Sequence, residues 1–423
     1  MKPTPSASSS SNSALSINAG CRICGGRGLE LMLSLGPQPL ANSFLKPGET
    51  TGEPFFPLDV YLCGHCGMLQ MRDVVSPEVM FRNYLYVSST SPAFVAHFKS
   101  FAEDVFKKLG LGPKSLVVDV GSNDGILLRP FKALGTRILG IDPAENVAKI
   151  ANESGIETLC DFFSPSTAKK VRADKGPASA ITACNVFAHV NDLDGFLEGT
   201  KALMGDDGVF IPEFPYLVDF YEKNLFDTVY HEHLSYLAVG PLLKIFERHD
   251  LELFDAQRVS SHGGSLRLFV QKKGAKRPVA PIVGELLALE KKHRLYDAAT
   301  WKGFAKRVEE NKRELVKLLK DLRGKGKRVM GYGAPAKGNT LLNYFGIGPD
   351  LVESIIDDSP LKQGLVTPGT HIPVVAAAQL EKSKPDYVFI LAWNFAEPIM
   401  KKLSAFKAAG GRFIIPVPKP EVV

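Results

Sequence analysis

The sequence predicts an α/β protein with a doubly wound parallel sheet between a small N-terminal module and a second, smaller α/β domain. Three observations predict this class. Two Cys-x-x-Cys pairs lie near the N-terminus, short apolar runs alternate with helical patterns from about residue 92, and a second strand with a glycine-rich turn begins near residue 328. The length of 423 residues requires two or three domains, because a single core rarely serves more than about 250–300 residues.

The bulk composition is that of a soluble globular chain. It is 45% hydrophobic and 23% charged. No apolar run reaches the roughly 18–20 residues that a membrane-spanning helix needs. The N-terminal segment is rich in serine and lacks the apolar core of a secretory signal. We therefore expect a cytoplasmic protein with no membrane partner.

Positive charge is concentrated in one block. Residues 271–330 contain 18 Lys and Arg against 7 Asp and Glu, whereas the whole chain carries a net charge of +6. Such a block suits nucleic acid, a phosphorylated small molecule or a solvated helix face. The block has few interleaved aromatic residues beyond Tyr296 and Trp301, which disfavours a nucleic-acid partner.

The cysteine pairs predict a metal site. Cys21 and Cys24 form one pair, and Cys63 and Cys66 form the other after a spacer of 38 residues. Two short knuckles that each give two thiolates close a tetrahedral zinc site, and disulfides are rare in the cytosol. Because four thiolates leave no open coordination position, we expect a structural zinc in a zinc-ribbon-like module.

The middle of the chain predicts one doubly wound sheet. SLVVDVG at residues 115–121 is a short apolar run that ends in glycine, which is typical of a buried parallel strand. The runs RILGID, ASAITACNVF and GVFIPEF follow at intervals that suit crossover helices, and LELFDAQRV with SLRLFVQKK closes the unit as a pair.

Two further units follow. Residues 282–322 predict one long helix or a helix pair with a packing stripe at helical spacing. The stripe consists of Trp301, Phe304, Val308, Leu315, Leu319 and Leu322. The runs KRVMGYGA, LVESIIDD, DYVFILAWN and RFIIPVP then predict a smaller Rossmann-like α/β domain.

An acidic glycine loop follows the first strand of the middle unit. It contains Asp119, Gly121, Asn123, Asp124 and Gly125, with glycines four apart rather than in the GxGxxG pattern of dinucleotide domains. Glycine lets the backbone turn tightly and approach a ligand. The carboxylates would repel a pyrophosphate and suit a cationic ligand with an amino acid end. The loop therefore favours S-adenosylmethionine over a nicotinamide cofactor.

Polar residues follow the next three strands. Asp142 is positioned for ribose hydroxyls, and Asn185 follows the fourth strand. Asp161 and Phe162 follow the third strand, where an acid beside an aromatic ring suits the amino group and the ring of adenine. Together with the glycine loop, they predict the sheet of a class I S-adenosylmethionine methyltransferase.

The stretch VYHEHLSYL at residues 229–237 crowds two histidines, a glutamate and two tyrosines together. A metal site is one interpretation, because His-x-His spacing works on a strand, although the HExxH spacing of a zinc protease is missing. A proton-transfer site and a polar packing patch are the others. The local residues alone favour the packing patch.

The chain resembles the three-domain C-methyltransferases that act on nucleotide-linked keto-deoxysugars. The resemblance covers nearly everything after the N-terminal tail, and the matching segments occur in the family's order. They are the four-cysteine module, residues 119–127, 184–190, 226–233, 262–267 and 331–338, and the segment Ala392-Trp-Asn-Phe. The resemblance implies a middle domain that binds S-adenosylmethionine and a C-terminal domain that helps to hold the nucleotide sugar.

The expected domain organisation combines the patterns with this resemblance. It consists of a flexible tail over residues 1–19, a zinc-binding module over 20–80, an S-adenosylmethionine-dependent methyltransferase domain over 81–280, a helical linker over 281–322 and a Rossmann-like nucleotide-sugar domain over 323–423.

The resemblance also implies an active site at Tyr84, His189, Tyr230, Glu232 and His233. Methylation of carbon next to a ketone requires removal of a proton and stabilisation of an enolate. We expect His233 to be the general base, because a histidine near its normal pKa works at neutral pH. Tyr230 and His189 would face the sugar carbonyl. Glu232 would fix the sugar or the base, and Tyr84 would close the pocket from the zinc side.

The geometry of this motif depends on its backbone. If the stretch is helical, Tyr230 and His233 share a face, and His231 points elsewhere without an assigned role.

A second glycine loop joins a strand to a helix in the C-terminal domain. Backbone N–H groups at such a junction bind phosphate well, which makes Gly333, Ala334 and Gly338 candidates for the diphosphate of a nucleotide sugar. Lys337 and Lys362 would add positive charge. A loop kept only for architecture and a nicotinamide site are the alternatives.

The segment 262–267, His-Gly-Gly-Ser-Leu-Arg, ends in Arg267. It predicts either a wall of the substrate pocket, with Arg267 as a substrate contact, or a tight turn into a strand.

The leading hypothesis is therefore a monomeric or homodimeric enzyme that transfers methyl from S-adenosylmethionine to C3 of a 4-keto-deoxysugar on a nucleotide diphosphate. Methyl transfer to oxygen or nitrogen of another metabolite is the first alternative. A zinc-ribbon nucleic-acid-binding protein that uses the basic block is the second.

Overall fold

A computed structural model describes residues 14–82 and 87–423. Three units lie in chain order: an antiparallel module, a seven-stranded mixed sheet and a six-stranded sheet. One large cluster of buried apolar side chains runs through all three units. In the part of the chain that is described, no helix is both long and apolar enough to cross a bilayer.

The N-terminal module is built from short antiparallel strands. Its elements are β1 (Leu15–Ile17), β2 (Leu29–Gln38), β3 (Phe56–Cys63), β4 (Leu69–Met71), β5 (Asp73–Val75) and the helix α1 (Pro77–Phe81). β2, β3 and β4 pair in that order. Strand β11 (Ser235–Tyr236) of the middle unit pairs with β4 and extends this sheet.

Strand β1 differs from the flexible tail that the sequence predicts through residue 19. Leu15–Ile17 pairs antiparallel with β5. Backbone bonds from Ser76 N–H to the Ala14 carbonyl (2.8 Å) and from Asn18 N–H to the Arg72 carbonyl (2.9 Å) extend the pairing at both ends. The free edge of β5 supplies these partners, and serine-rich composition does not report such an edge.

The middle unit is the predicted doubly wound sheet. Its strands are β6 (Leu116–Val120), β7 (Arg137–Ile141), β8 (Thr158–Leu159), β9 (Ala178–Cys184), β10 (Met204–Pro215), β12 (Leu251–Val259) and β13 (Ser265–Lys272). The spatial order is β12-β13-β10-β9-β6-β7-β8. Strands β6 to β10 are parallel to one another. Strand β13 runs antiparallel to both of its neighbours, β10 and β12. This is the class I methyltransferase arrangement, and every residue of β6 is buried.

Helices cover both faces of this sheet. They are α2 (Pro92–Leu109), α3 (Leu128–Ala133), α4 (Glu145–Glu153), α5 (Pro165–Lys175), α6 (Leu193–Leu203), α7 (Leu217–Glu222) and α8 (Val239–Arg248). Short 3-10 turns cover Ser88–Thr90, Phe187–His189, Phe226–Thr228 and Ser261–Gly263. Two of these turns lead into the histidine-containing loops considered below.

The expected helical region is a pair, α9 (Pro281–Lys292) and α10 (Ala298–Gly324). All six residues of the predicted stripe on α10 are buried. Glu290 of α9 is also fully buried, and it accepts hydrogen bonds from Tyr216 Oη (2.8 Å) and from the Val239 and Gly240 N–H groups (2.7 and 3.0 Å). A carboxylate at the N-terminus of α8 satisfies the free N–H groups of that helix end.

The C-terminal unit is a second, mostly parallel sheet. Its strands are β14 (Val329–Tyr332), β15 (Ile355–Ile356), β16 (Val374–Val375), β17 (Tyr387–Ile390), β18 (Arg412–Ile415) and β19 (Glu421–Val422), in the order β16-β15-β14-β17-β18-β19. Its helices are α11 (Ala336–Phe345), α12 (Gln379–Ser383), α13 (Ala396–Lys402) and α14 (Ser404–Ala408), with a 3-10 turn at Trp393–Phe395. The predicted Rossmann-like architecture is confirmed.

Candidate functional site

The four predicted metal-ligating cysteines form a compact cluster. All four sulfur atoms lie within 4.8 Å of one another. Cys21 Sγ is 3.5 Å from Cys66 Sγ, and Cys24 Sγ is 3.6 Å from Cys63 Sγ. Zinc–sulfur bonds of about 2.3 Å in a tetrahedron need sulfur separations of about 3.8 Å, so the cluster fits one zinc ion.

The glycine loop after β6 is shaped for close approach. Gly121 and Gly125 have φ angles of +67° and +81°. A Cβ atom on Gly121 would lie 2.3 Å from Val186 Cγ2, and one on Gly125 would lie 2.8 Å from Ile156 Cγ2. A side chain at either position therefore requires both a strained backbone and a shift of its neighbours.

The acidic side chains of this edge have different environments. Asp142 accepts hydrogen bonds from the Asn123 N–H (2.8 Å) and the Ala144 N–H (2.9 Å). Each of its oxygens keeps a second lone pair for a ribose hydroxyl. Asp119 lies within the sheet, where it accepts a 2.6 Å bond from Thr182 Oγ1. Burial raises the pKa of Asp119 to about 7.

Two buried acceptors at the same edge suit a cationic ligand. Asp124 is 1% exposed, and its Oδ2 lies 3.4 Å from Arg129 Nη1. Among the described residues, Asp124 Oδ1 and Asn185 Oδ1 have no hydrogen-bond partner. Asn185 also has φ = +57°, an uncommon conformation that clusters at functional sites. The residue set fits the amino acid end of S-adenosylmethionine.

The adenine candidates lie past the end of β8. Asp161 is exposed, and it accepts bonds from the Phe162 N–H (2.8 Å) and Thr167 Oγ1 (3.2 Å). The Arg82 guanidinium lies 5.0 Å from the Phe162 ring centre. The structure therefore gathers all nine predicted cofactor residues along the carboxyl ends of β6 to β9, where parallel α/β sheets bind ligands.

Three of the predicted catalytic residues meet in one cluster. Tyr230 Oη is 2.8 Å from His233 Nε2, and the His189 and His233 ring centres are 5.0 Å apart. Phe81 stacks on His189 with ring centres 5.8 Å apart. The backbone here is a turn closed by His233 N–H and the Tyr230 carbonyl (2.8 Å), not the helix that would also pair them.

The protonation state of His233 follows from its partners. Its Nδ1 lies 2.7 Å from the Thr228 carbonyl oxygen, which requires a proton on Nδ1. Nε2 then carries no proton, and its lone pair accepts a hydrogen bond from the Tyr230 hydroxyl. Burial and, to a smaller extent, the positive charge of Lys337 together lower the pKa of His233 to about 4. The imidazole is therefore neutral at pH 7.

The other residues of the motif contact the N-terminal module. Glu232 Oε1 accepts a 2.6 Å bond from Asn42 Nδ2. His231 is 2% exposed, and its Nε2 lies 3.3 Å from the Phe56 carbonyl oxygen. Burial lowers the pKa of His231 to about 4. Tyr84, the fifth predicted catalytic residue, lies outside the described residues.

The second glycine loop faces a carboxylate. Gly333 has φ = +81°, and the Ala334 N–H donates a 2.7 Å bond to Asp357 Oδ2. Lys362 Nζ donates to the Ala334 carbonyl at 2.8 Å and lies 4.0 Å from Asp357 Oδ2. Gly338 packs against Leu391 and Pro335. One N–H of the predicted phosphate cradle is thus bound to the protein's own carboxylate.

Lys337 points into the molecule. Its ammonium donates a 3.0 Å bond to Asn394 Oδ1 and lies 4.7 Å from the Trp393 ring centre. Trp393 Nε1 in turn donates a 2.6 Å bond to Asp227 Oδ2. Burial raises the pKa of Asp227 to about 6, and the charge of Lys337 opposes that rise. Lys337 thus acts electrostatically on both Asp227 and His233.

Arg267 lies inside the sheet. Its guanidinium is 3% exposed and pairs with Glu213 Oε2 at 2.9 Å. It also bonds to Gln257 Oε1 (3.3 Å) and stacks on Phe101 at 3.8 Å from the ring centre. Of the two expectations for this segment, the structure has the tight turn into a strand, and Arg267 as a direct substrate contact does not fit its burial.

Sequence reasoning gave no role to several residues around the cluster. Direct contacts to predicted residues are made by Thr228, Trp393, Asn394 and Asn42, and Asp227 accepts a hydrogen bond from Trp393. Four of these residues lie in sequence motifs given above, and this position could have identified them: Asp227, Thr228, Trp393 and Asn394. Asn42 stands in no such motif.

Comparison with known proteins follows the same three units. A family model described as "Putative zinc binding domain" matches residues 21–81. A "Methyltransferase domain" matches residues 94–256, and a "C-methyltransferase C-terminal domain" matches residues 260–418.

Individual relatives agree with these matches. The chain is 37% identical to the C-methyltransferase NovU of Streptomyces niveus over 404 residues, which cover 95% of this chain and 96% of that protein. It is 31% identical to a ubiquinone biosynthesis O-methyltransferase of Methylobacterium sp. (strain 4-46), over 24% of this chain and 42% of that protein. A magnesium protoporphyrin IX methyltransferase structure from Synechocystis PCC 6803 covers 43% of this chain and 82% of its own at 16% identity and a TM-score of 0.33. Since the likeness to NovU runs along nearly the whole chain, this chain belongs to the C-methyltransferase family.

Proposed function

We propose that the protein transfers a methyl group from S-adenosylmethionine to C3 of a 4-keto-deoxysugar linked to a nucleotide diphosphate. The carrying observation is the partly buried Tyr230–His233–His189 cluster. His189 lies four residues after Asn185, so the cluster lies close to the carboxyl edge of the sheet. The likeness to a C-methyltransferase along 95% of the chain supports carbon as the acceptor.

The cofactor would lie along the ends of β6 to β9. Gly121 and Gly125 have no side chain and would let the cofactor approach the backbone closely. Asp124 and Asn185 would accept hydrogen bonds from its ammonium group, and Asp142 would accept one from its ribose. When bound, S-adenosylmethionine supplies an electrophilic methyl group. The four cysteines would hold a structural zinc ion, since their sulfur separations match one tetrahedral site.

His233 is the proposed base. Its Nε2 lone pair is held toward the site because Nδ1–H is bound to the Thr228 carbonyl. An anionic substrate near Lys337 would offset the ammonium charge and so remove the smaller of the two causes that lower the His233 pKa. When substrate binds, Tyr230 would release Nε2, and Tyr230 and His189 would then donate to the oxygen of the developing enolate. Glu232 and Tyr84 would hold the sugar, and Lys362 with residues 333–338 would hold the diphosphate.

The test is methyl transfer by His233→Asn. Loss of one general base costs about 10²- to 10⁴-fold in rate, so we expect turnover to fall within that range while S-adenosylmethionine still binds. Product formation from nucleotide keto-sugars and ¹³C-methyl donor is measured by mass spectrometry and NMR. His293→Asn is the matched control, because His293 pairs with Glu222 outside the cluster.

Two results would contradict the proposal. A ¹³C label on oxygen or nitrogen would favour the alternative methyltransferase, to which the partial match with the ubiquinone O-methyltransferase also points. Wild-type turnover in His233→Asn would remove this residue from the base role.

A further inference from the structure

Arg22 is a buried arginine inside the first cysteine knuckle. It lies between Cys21 and Cys24, and 7% of its surface is exposed. Its backbone N–H and its Nη1 both donate to Gln70 Oε1 at 3.1 Å. These two bonds fix the side chain against strand β4 of the N-terminal module.

The guanidinium reaches both loops that carry the clustered histidines. Nε donates to Asn191 Oδ1 at 3.1 Å, and Asn191 lies two residues after His189. Nη1 donates to the Leu234 carbonyl oxygen at 3.4 Å, and Leu234 directly follows His233. A single side chain therefore bridges two loops that lie more than 40 residues apart in sequence.

Backbone and side-chain bonds of the module support the same bridge. Arg22 Nη1 also bonds to the Met71 carbonyl, and the Met71 N–H donates to the Leu234 carbonyl at 2.9 Å. Asn18 Nδ2 donates to Asn191 Oδ1 at 2.7 Å. Both histidine loops are thus bound to the N-terminal module at points next to the histidines.

The hydrogen-bond partners of Arg22 argue for a role. Within residues 14–82 and 87–423, its hydrogen-bond partners are amide and carbonyl oxygens rather than carboxylates. The negative charge of the neighbouring cysteine thiolates compensates the buried cation, while the directional hydrogen bonds of the guanidinium go to the two histidine loops.

We propose that Arg22 is a positioning residue, which sets the separation of the His189 and His233 rings from within the cysteine knuckle. The inference rests on the proposed function, in which both rings face the acceptor sugar. The ring centres are 5.0 Å apart, and a displacement of about 1 Å in such a site can cost about 100-fold in rate. Arg22 has no contact with the cofactor loop among its described bonds, so cofactor affinity should not depend on it.

The experiment compares Arg22→Gln with the wild type as full-length, zinc-loaded protein. We expect kcat to fall by about 10- to 100-fold, with the KM for S-adenosylmethionine unchanged. Zinc content should stay at the wild-type value. The ¹³Cε1–¹H NMR signals of His189 and His233, assigned by substitution of each histidine, should shift.

Arg248→Gln is the matched control. Arg248 also hydrogen-bonds to the knuckle, at the Ile23 carbonyl, but its other partner is Asp194 in helix α6 rather than a histidine loop. We expect its kcat and the two histidine signals to match the wild type. Equal effects of Arg22→Gln and Arg248→Gln would overturn the proposal, since any contact to the knuckle would then have the same consequence.

A second variant tests the same inference if Arg22→Gln does not fold or loses its zinc. Asn191→Ala removes the acceptor for Nε and leaves the cysteines and the module intact, so it should shift the His189 signal and lower kcat. Wild-type signals and kcat in Asn191→Ala would overturn the proposal. The NMR comparison needs no substrate, so it tests Arg22 even if the wild type fails to methylate keto-sugars, a result that would count against the proposed function alone.

Discussion

At the scale of single residues, the His-Glu-His motif separates into different environments. His233 faces Tyr230 and His189, whereas His231 faces the Phe56 carbonyl of the N-terminal module. The residue types and spacing of this motif are compatible with a metal site, with a proton-transfer site and with a packing patch. The backbone turn decides which side chains face each other, and the sequence does not show that turn.

The buried His231 should make stability depend on pH. Its pKa is about 4 in the folded protein and about 6.5 when exposed, so the unfolded chain binds more protons between these values. Its contribution is fully present above about pH 6.5 and is lost as pH falls toward 4. Compared with His231→Gln, the wild type should lose up to about 1.4 kcal/mol of unfolding free energy per pH unit in this window.

Urea unfolding of both proteins at pH 7, 6 and 5 measures this difference. Taking the difference between the two proteins cancels the opposite contributions of the buried acids Asp119 and Asp227, whose pKa values are raised. If the difference in unfolding free energy between the two proteins stays constant from pH 7 to pH 5, His231 has the same pKa in the folded and the unfolded state.

At the scale of elements, the loop between β6 and α3 depends on glycine. Gly121→Ala would place a Cβ 2.3 Å from Val186 Cγ2 at a φ of +67°. We expect it to destabilise the protein by about 1–3 kcal/mol and to weaken S-adenosylmethionine binding, because the strained loop and Asn185 share one edge. Thermal unfolding and calorimetric titration measure the two effects.

Gly112→Ala is the control for that loop. Apart from its chain neighbours, no atom of the described residues lies within 4 Å of a Cβ at Gly112, and its φ is not in the left-handed region. Both measurements should stay near wild type there. Cofactor binding of Gly121→Ala equal to that of Gly112→Ala would mean that close backbone approach is not used.

Strand β11 is one of the elements that sequence patterns miss. It has two residues, Ser235 and Tyr236, and pairs with β4 from a different unit. Alternation cannot be recognised over two residues, and the pairing partner lies about 165 positions earlier in the chain. The longer strands β6, β9, β12 and β13 follow the predicted runs, because four or more buried residues in each give a clear pattern.

At the scale of the whole molecule, the C-terminal domain acts on the histidine cluster through Lys337. Removing its charge in Lys337→Met should raise the pKa of His233, since the ammonium lowers it across the domain contact. An NMR titration of the His233 ring measures this directly. Lys402→Met is the control, because Lys402 pairs with the exposed Asp358 in the same domain.

The KM for the proposed substrate should also depend on Lys337. Lys337→Met is expected to raise the KM for the nucleotide sugar by about 10-fold or more, as loss of a partly desolvated charge contact costs about 1.5–3 kcal/mol. An unchanged His233 pKa together with an unchanged KM would argue that Lys337 only packs against Trp393.

The sequence by itself determined the fold class, the cysteine cluster and the polar residues at the carboxyl ends of β6 to β9. These follow from short apolar runs and local spacings, and the carboxyl ends of parallel strands must meet at one edge. Only the tertiary structure decided that Arg267 pairs with Glu213, that Lys337 points at the histidine cluster and that Arg22 bridges its two loops. These contacts join residues up to about 210 positions apart, where a charged side chain's partner depends on packing between units and leaves no local pattern.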